Sequence, residues 1–172
     1  MAGKTEVWQR GPVPSIPALL QPVAHALLQA LEEVDEVMQD FPEHLLWQRP
    51  AGVASVGFHL QHLTGVLDRL FSYAAKDILS PEQLHWLSAE GKEHETKASS
   101  AELVALFKKQ VEESLSILSK ANSTSLTEIR TVGRKKIPST LIGLYFHAAE
   151  HTMRHLGQLY VTVKILKAEN SK

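Results

Sequence analysis

Apolar residues recur every three or four positions along four long stretches of the chain, which is the period of an α-helix with one buried face. No stretch shows the sustained alternation that is typical of a strand, although residues 128–132 are compatible with a short extended piece. The pattern predicts long helices near residues 15–40, 55–78, 99–120 and 140–166.

Two helix starts are marked by capping residues. Ser80, followed by proline and then by Gln83, combines a serine cap with glutamine at the third helical position, and it predicts a short helix over residues 81–89. Ser99 and Glu102 form a capping box before the third long stretch. With polar connections between the stretches, these signals predict an all-α protein. We expect an antiparallel four-helix bundle with a short extra helix between helices 2 and 3.

The composition is that of an ordinary globular domain. The chain has 172 residues and a formal net charge of -1, which gives no reason to expect a nucleic-acid partner or an anionic membrane. Glycine and prolines interrupt residues 1–14, so we expect a flexible N-terminal arm followed by one domain over residues 15–168. No apolar run approaches the roughly 20 residues that span a bilayer, and no signal-peptide pattern is present. These features favour a cytoplasmic protein with no membrane partner.

The chain contains no cysteine. This excludes disulfides, thiolate metal ligands and a cysteine nucleophile. A serine in a G-x-S-x-G context is absent as well, so we expect the protein to supply no nucleophile of its own. Any thiol in its reaction must arrive as a cosubstrate.

Histidines cluster on the last predicted helix, where His147, His151 and His155 follow one another at a spacing of four. The buried stripe of that helix passes through His151 and His155, whose Cβ atoms would lie roughly 5–6 Å apart. On the second helix, His62 lies in phase with the inward apolar residues. Zinc accepts imidazole ligands, and bundles build metal sites from facing helices. The pattern therefore predicts that His62, His151 and His155 bind one cation. The alternative is that they are buried polar residues of a structural dimer.

The same stretch permits a second interpretation. His147, Glu150 and His151 match the H-x-x-E-H pattern of inverted zinc peptidases, in which Glu150 would be the general base. That class needs a further acidic ligand well downstream, and only the rest of one helix and a short tail follow. We interpret this match as coincidental.

The string HTMRHLGQ, residues 151–158, resembles the H-x-x-x-H-x-G-Q signature of the DinB-like superfamily. Residues 55–75 resemble its other marker, an inward histidine early in the second helix. The resemblance covers nearly the whole chain beyond residue 15. It implies a divalent cation, nickel or zinc, bound by His62, His151 and His155. It also implies a homodimer and a small-molecule substrate, and some relatives are transferases that use a low-molecular-weight thiol.

The resemblance leaves the reaction open. A metal-dependent hydrolase, or a metal-binding or ligand-binding bundle without turnover, is the alternative to a thiol transferase. Four residues are candidates for orienting the ligands, binding substrate or handling protons: Gln158, Glu150, His59 and Arg69. His59 lies one turn before His62, so the choice between these two as ligand stays open. For Arg69, an ion pair with Asp68 or Glu150 is favoured over contact with a substrate carboxylate.

Overall fold

The structure is a computed structural model that describes residues 5–95 and 97–170, without the side chain of His94. Within these residues the chain forms five α-helices and one hairpin of two strands. The elements are α1 (Gln21–Met38), α2 (Val56–Ala74), α3 (Pro81–Ala89), α4 (Ser100–Ser119), β1 (Ile129–Val132), β2 (Ile137–Thr140) and α5 (Leu141–Glu169). The prediction of an all-α fold with four long helices and a short one between the second and third is confirmed.

Side-chain caps set the starts of four helices. The side chains of Ser55, Ser80, Ser99 and Thr140 accept hydrogen bonds from backbone N–H groups in the first turns of α2, α3, α4 and α5. Each cap satisfies a backbone donor that has no partner within the helix. These helices consequently begin within about one residue of the predicted positions.

The first helix begins later than predicted. A single 3-10 turn, Ala18–Leu20, precedes α1, which starts at Gln21 and not near residue 15. Pro17 has no N–H to donate and disfavours helical geometry in the residue before it, which accounts for the delay. The predicted N-terminal arm includes a 3-10 turn at Val7–Arg10, and Arg10 lies 2.6 Å from Glu32 of α1. The predicted flexibility of the arm and the domain boundary at residue 15 stay predictions.

Contacts between the helices define an up-down-down-up order. Phe71 of α2 packs on Tyr145 of α5, and the histidines nearer the start of α2 meet later residues of α5, so these two helices are antiparallel. Lys167, near the end of α5, donates to the carbonyl of Gln39 just beyond α1, so α1 and α5 run in the same direction. Ser100 donates to Glu43, which places the start of α4 beside the end of α1.

This order corrects one part of the prediction. A bundle with only antiparallel neighbours was expected, yet α1 runs parallel to α5 and α2 runs parallel to α4. The cause is the connection over residues 75–99, which contains α3 and carries the chain back along the bundle before α4 begins. The core between the helices is mainly aliphatic, and its largest fully buried side chains include Phe107, Leu27, Leu60, Leu63 and Leu156.

A short hairpin links α4 to α5. Strands β1 and β2 pair antiparallel, with Ile129 opposite Thr140. The extended piece expected over residues 128–132 corresponds to β1, whereas β2 was not expected. Arg130 donates from Nε to the carbonyl of Ala74 over 2.6 Å, which ties the hairpin to the end of α2.

Candidate metal centre

His62, His151 and His155 converge between α2 and α5. Each offers one nitrogen, and the three nitrogens lie within 4.8 Å of one another. Nε2 of His62 is 3.0 Å from Nε2 of His151, and the ring centroids of His62 and His155 are 4.3 Å apart. The antiparallel packing of α2 on α5 brings His62 opposite the one-turn step from His151 to His155. The three histidines are therefore placed so that they could hold a metal ion.

A buried carboxylate fixes the orientation of His62. Oε2 of Glu90 lies 2.7 Å from Nδ1 of His62, and Oε1 of Glu90 accepts from Arg69 over 2.7 Å. The Glu90 side chain is only 5% exposed, so both contacts lie away from bulk water. A carboxylate accepts a proton held on Nδ1, which leaves the lone pair on Nε2 facing the other two histidines.

Close packing after α3 holds Glu90 in place. A Cβ added at Gly65 would lie 2.6 Å from Nη1 of Arg69, from Oε1 of Glu90 and from Cδ1 of Trp86. Only glycine permits this approach, because any larger residue would displace one of those groups. The carbonyl of Gln61 accepts from Nε1 of Trp86 over 3.0 Å, and its side-chain Oε1 accepts from the backbone of Gly91 over 2.7 Å. The segment that carries Glu90 is therefore pinned to α2.

Sequence analysis missed Glu90 and assigned the wrong partner to Arg69. Arg69 pairs with Glu90 and not with Asp68 or Glu150, the partners expected from sequence. Glu90 comes 28 residues after His62, just past the end of α3, where no helical spacing relates the two residues. The available signal was Gly65, a glycine three residues after His62 inside a helix, which indicates close approach by another segment.

His59 lies behind the cluster. It is 2% exposed, and its Nδ1 is 3.3 Å from Nδ1 of His155. Between these nitrogens one donates and the other accepts, so His59 orients His155. Phe58 stacks on the ring of His62 with centroids 5.3 Å apart and planes inclined by 12°. The converging group therefore contains a ring nitrogen of His62 and none of His59, which contacts His155 from outside the group.

Burial keeps the imidazoles of His59, His151 and His155 neutral. Desolvation, assisted by the nearby His62, lowers the pKa of His59 and of His155 to about 4. Desolvation likewise lowers the pKa of His151, again with a contribution from His62. Neutral imidazole is the form that binds metal, so no proton has to leave these rings at pH 7. Within the described residues, Nδ1 of His151 is buried without a hydrogen-bond partner. Three imidazole nitrogen donors fit zinc or nickel.

The residues of the inverted-peptidase pattern face outward, apart from His151. Glu150 accepts from Nε of Arg154 over 3.0 Å and lies 3.6 Å from Nδ1 of His147. The hydrogen bond from Arg154 lowers the pKa of the Glu150 carboxyl. His147 is exposed and outside the group of converging nitrogens. Gln158 is exposed as well, and functional roles for Glu150 and Gln158 stay predictions.

Fold and site together define a four-helix bundle whose second and last long helices bring three histidines to one point. Residues 19–159 match the family model of the DinB superfamily, and the chain therefore belongs to that superfamily. No curated protein matches the chain. Among the described helices, none is both long and apolar enough to span a membrane.

Proposed function

We propose that this protein is a metal-dependent enzyme that binds a divalent cation, nickel or zinc, through His62, His151 and His155. The observation that carries the proposal is the convergence of the three imidazoles, one of which is held by buried Glu90. Three protein ligands leave a coordination position for a substrate or water, which is typical of catalytic and not of structural sites.

The proposed reaction transfers a low-molecular-weight thiol to a small electrophilic substrate. When bound, the cation supplies a Lewis acid that lowers the pKa of an adjacent thiol or water. The chain has no cysteine, so the thiol enters as a cosubstrate. Membership of the DinB superfamily supports this choice through the resemblance to thiol-using relatives.

The chain's own residues position the ligands. Glu90 keeps the proton of His62 on Nδ1, and His59 orients His155 through the contact between their Nδ1 atoms. Phe58 covers one face of the His62 ring and excludes water from that side. Proton transfer falls to groups outside the ligand set, with Glu150, His59 and bulk water the candidates, whereas Gln158 could only orient a ligand or a bound water.

Metal analysis of protein purified without a histidine tag tests the site. We expect the wild type to carry stoichiometric metal and His151→Ala to lose most of it. His44→Ala, at an exposed histidine outside the bundle, is the matched control and should keep its metal. Equal metal content in His151→Ala and His44→Ala would contradict the proposal. Loss of metal in His147→Ala would instead favour the inverted-peptidase interpretation.

Conjugation assays test the reaction. With a panel of low-molecular-weight thiols, the protein should accelerate the displacement of chloride from chlorodinitrobenzene by the thiol sulfur above the uncatalysed rate, and only when metal is present. His155→Ala should abolish turnover while its circular dichroism spectrum stays unchanged. Full turnover by metal-free protein, or a covalent intermediate on a side chain, would contradict the mechanism. Metal-dependent hydrolysis without thiol consumption would identify a hydrolase.

A further inference from the structure

A cavity opens at the end of α2 that lies away from the three converging histidines. Its volume is about 640 Å³, which is typical of a small-molecule site. The end of α2, the connection to α3, α3 itself and the β1–β2 hairpin contribute to its walls. Tyr73, which lines the cavity, comes eleven residues after His62, so the two residues are roughly 16 Å apart along the helix axis. The cavity is therefore separate from the candidate metal centre.

Exposed aliphatic side chains form an apolar wall of this cavity. Ile78 is 91% exposed and Ile129 is 75% exposed, which makes them the two most exposed large apolar side chains among the described residues. Leu84 of α3 lines the cavity beside them. A ligand with an apolar body would remove these side chains from water, which is favourable. The wall therefore indicates a site for an apolar group.

The cavity also has a basic rim. Its cationic lining residues are Lys76, Arg130, Arg134 and Lys136, and among the described lining residues only Asp77 is acidic. Glu128 compensates part of the positive charge, because it accepts from Lys76 over 3.3 Å and from Arg130 over 3.1 Å. Arg134 and Lys136 form no ion pair with any residue that the structure describes. The excess of positive charge favours an anionic ligand.

Arg130 is the buried member of the basic rim, at 8% exposure. Its Nε donates to the carbonyl of Ala74 over 2.6 Å, and its Nη1 donates to Glu128 and to the carbonyl of Ile129. Its Nη2 donates to no described residue and remains accessible. Because the other bonds hold the guanidinium in place, Nη2 is a fixed donor for an anionic group in the cavity.

Two lysines of the basic rim have a backbone conformation that glycine usually adopts. The φ angle is 70° at Lys76 and 49° at Lys136. Lys76 ends α2 in a Schellman motif, in which the backbone N–H groups of Lys76 and Asp77 donate to the carbonyls of Tyr73 and Ser72 over 3.0 Å each. The backbone favours glycine at both positions, so their side chains point to a role beyond the turns.

We infer that this cavity binds a small amphiphilic anion. The apolar body of the ligand covers Ile78 and Ile129, and its carboxylate or phosphate accepts hydrogen bonds from Arg130 and the rest of the basic rim. The inference goes beyond the proposed function and does not depend on it, because none of His62, His151 and His155 lines the cavity.

Isothermal titration calorimetry with matched decyl compounds, each below its micelle concentration, tests the class of ligand. Decanoate or decyl phosphate should bind saturably and about tenfold more tightly than neutral decanol, since only the anions receive charge-assisted hydrogen bonds. The tighter of the two anions identifies the headgroup. Decylammonium should not bind, and added salt should weaken binding of the anions. Equal affinity for decanoate, decyl phosphate and decanol, or no saturable binding of either anion, overturns the inference.

Substitutions in the lining locate the bound anion. Ile78→Ser should weaken binding about fivefold, because it removes apolar surface from the wall, and its exposure leaves the fold intact. Ile117→Ser, at an exposed isoleucine of α4 outside the cavity, is the matched control. Asp77→Asn removes the acidic group and should tighten binding. If Ile78→Ser and Asp77→Asn both bind the anion as the wild type does, the cavity is not its site.

Lys76→Gly separates a binding role from a structural one. Glycine suits the positive φ angle, and the ion pair of Lys76 with Glu128 is exposed, so denaturant titration should show no loss of stability. Affinity for the anion should nevertheless fall. Lys135→Ala, in the hairpin turn but outside the lining, is the matched control and should bind as the wild type does. Equal affinities of Lys76→Gly and Lys135→Ala contradict the role assigned to Lys76.

Vesicle cosedimentation distinguishes a small ligand from a membrane surface. Exposed isoleucines beside basic residues could also contact anionic lipid, but a cavity encloses a single ligand. We therefore expect no more protein to sediment with phosphatidylserine vesicles than with phosphatidylcholine vesicles. Binding to phosphatidylserine vesicles without saturable binding of decanoate or decyl phosphate would overturn the inference in favour of a membrane contact.

Discussion

The inner face of α5 carries two histidines, His151 and His155, between aliphatic core residues such as Leu144 and Leu159. The outer face instead exposes apolar residues, Phe146 and Val161, at positions where a helix usually carries charged ones. Each departure is unfavourable for an isolated chain. Burying imidazoles carries a desolvation cost, which is seen in the lowered pKa values of His151 and His155. Apolar surface that stays exposed to water does not contribute the favourable free energy of burial. Both faces therefore hold side chains in surroundings that are unfavourable for them.

Replacing Glu90 should have the largest effect, a loss of metal affinity at the inner face. Glu90→Gln keeps the shape but removes the charge that holds the His62 proton, so we expect metal affinity to fall about 10–100-fold. Competition with a chelator measures this change. Glu93→Gln, at an exposed carboxylate three residues further along, is the matched control. An affinity equal to that of the control would show that Glu90 does not support the site.

Gly65→Ala should disturb the inner region through packing. Its methyl group would overlap Arg69, Glu90 and Trp86, so we expect a loss of up to about 3 kcal/mol in the free energy of unfolding. Denaturant titration measures the loss. If Gly65→Ala is as stable as the wild type, the close approach at Gly65 is not needed for the fold.

Acid should destabilise the metal-free protein. The pKa of His59 and of His155 falls from 6.5 to about 4 on folding, so between these pH values the unfolded chain binds more protons. Stability is full above about pH 6.5 and is lost as the pH falls toward 4. We expect a loss of about 2 kcal/mol from pH 7 to pH 5, after allowing for solvent screening. His44→Gln should show the same pH dependence, whereas replacing both His59 and His155 with glutamine should flatten it.

The smallest effect belongs to the outer face. Gly157→Ala should raise the free energy of unfolding by about 1 kcal/mol, because alanine favours the helix and no described atom lies within 4 Å of its methyl group. The same substitution thus has opposite signs at Gly65 and Gly157. Destabilisation at both positions would remove the distinction between the two faces.

Features with local causes could be predicted from the sequence. The start of α3 depends on Ser80 and its immediate neighbours, and the spacing of His151 and His155 is a property of one helix. The inward position of His62 could be predicted from its phase on α2, although the choice between His62 and His59 as ligand stayed open. These predictions needed no knowledge of how the helices pack.

Features that depend on packing could not be predicted in the same way. Strand β2 has four residues, including Pro138, and its conformation depends on pairing with β1. Glu90 reaches His62 only because α3 returns the chain against Gly65, a contact that no periodicity encodes. The parallel arrangement of α2 and α4 likewise follows from the length of the connection between them.

The antiparallel packing of α2 on α5 also has a consequence in time. His62 and His151 are separated by 89 residues, and the second belongs to the last helix of the bundle. During synthesis on the ribosome, a chain that has not yet reached residue 151 presents only one of the three converging nitrogens. Under the proposed function, loading of the ion would be a late event of biogenesis, coupled to the docking of α5, and the bound cation would stabilise the finished bundle by mass action.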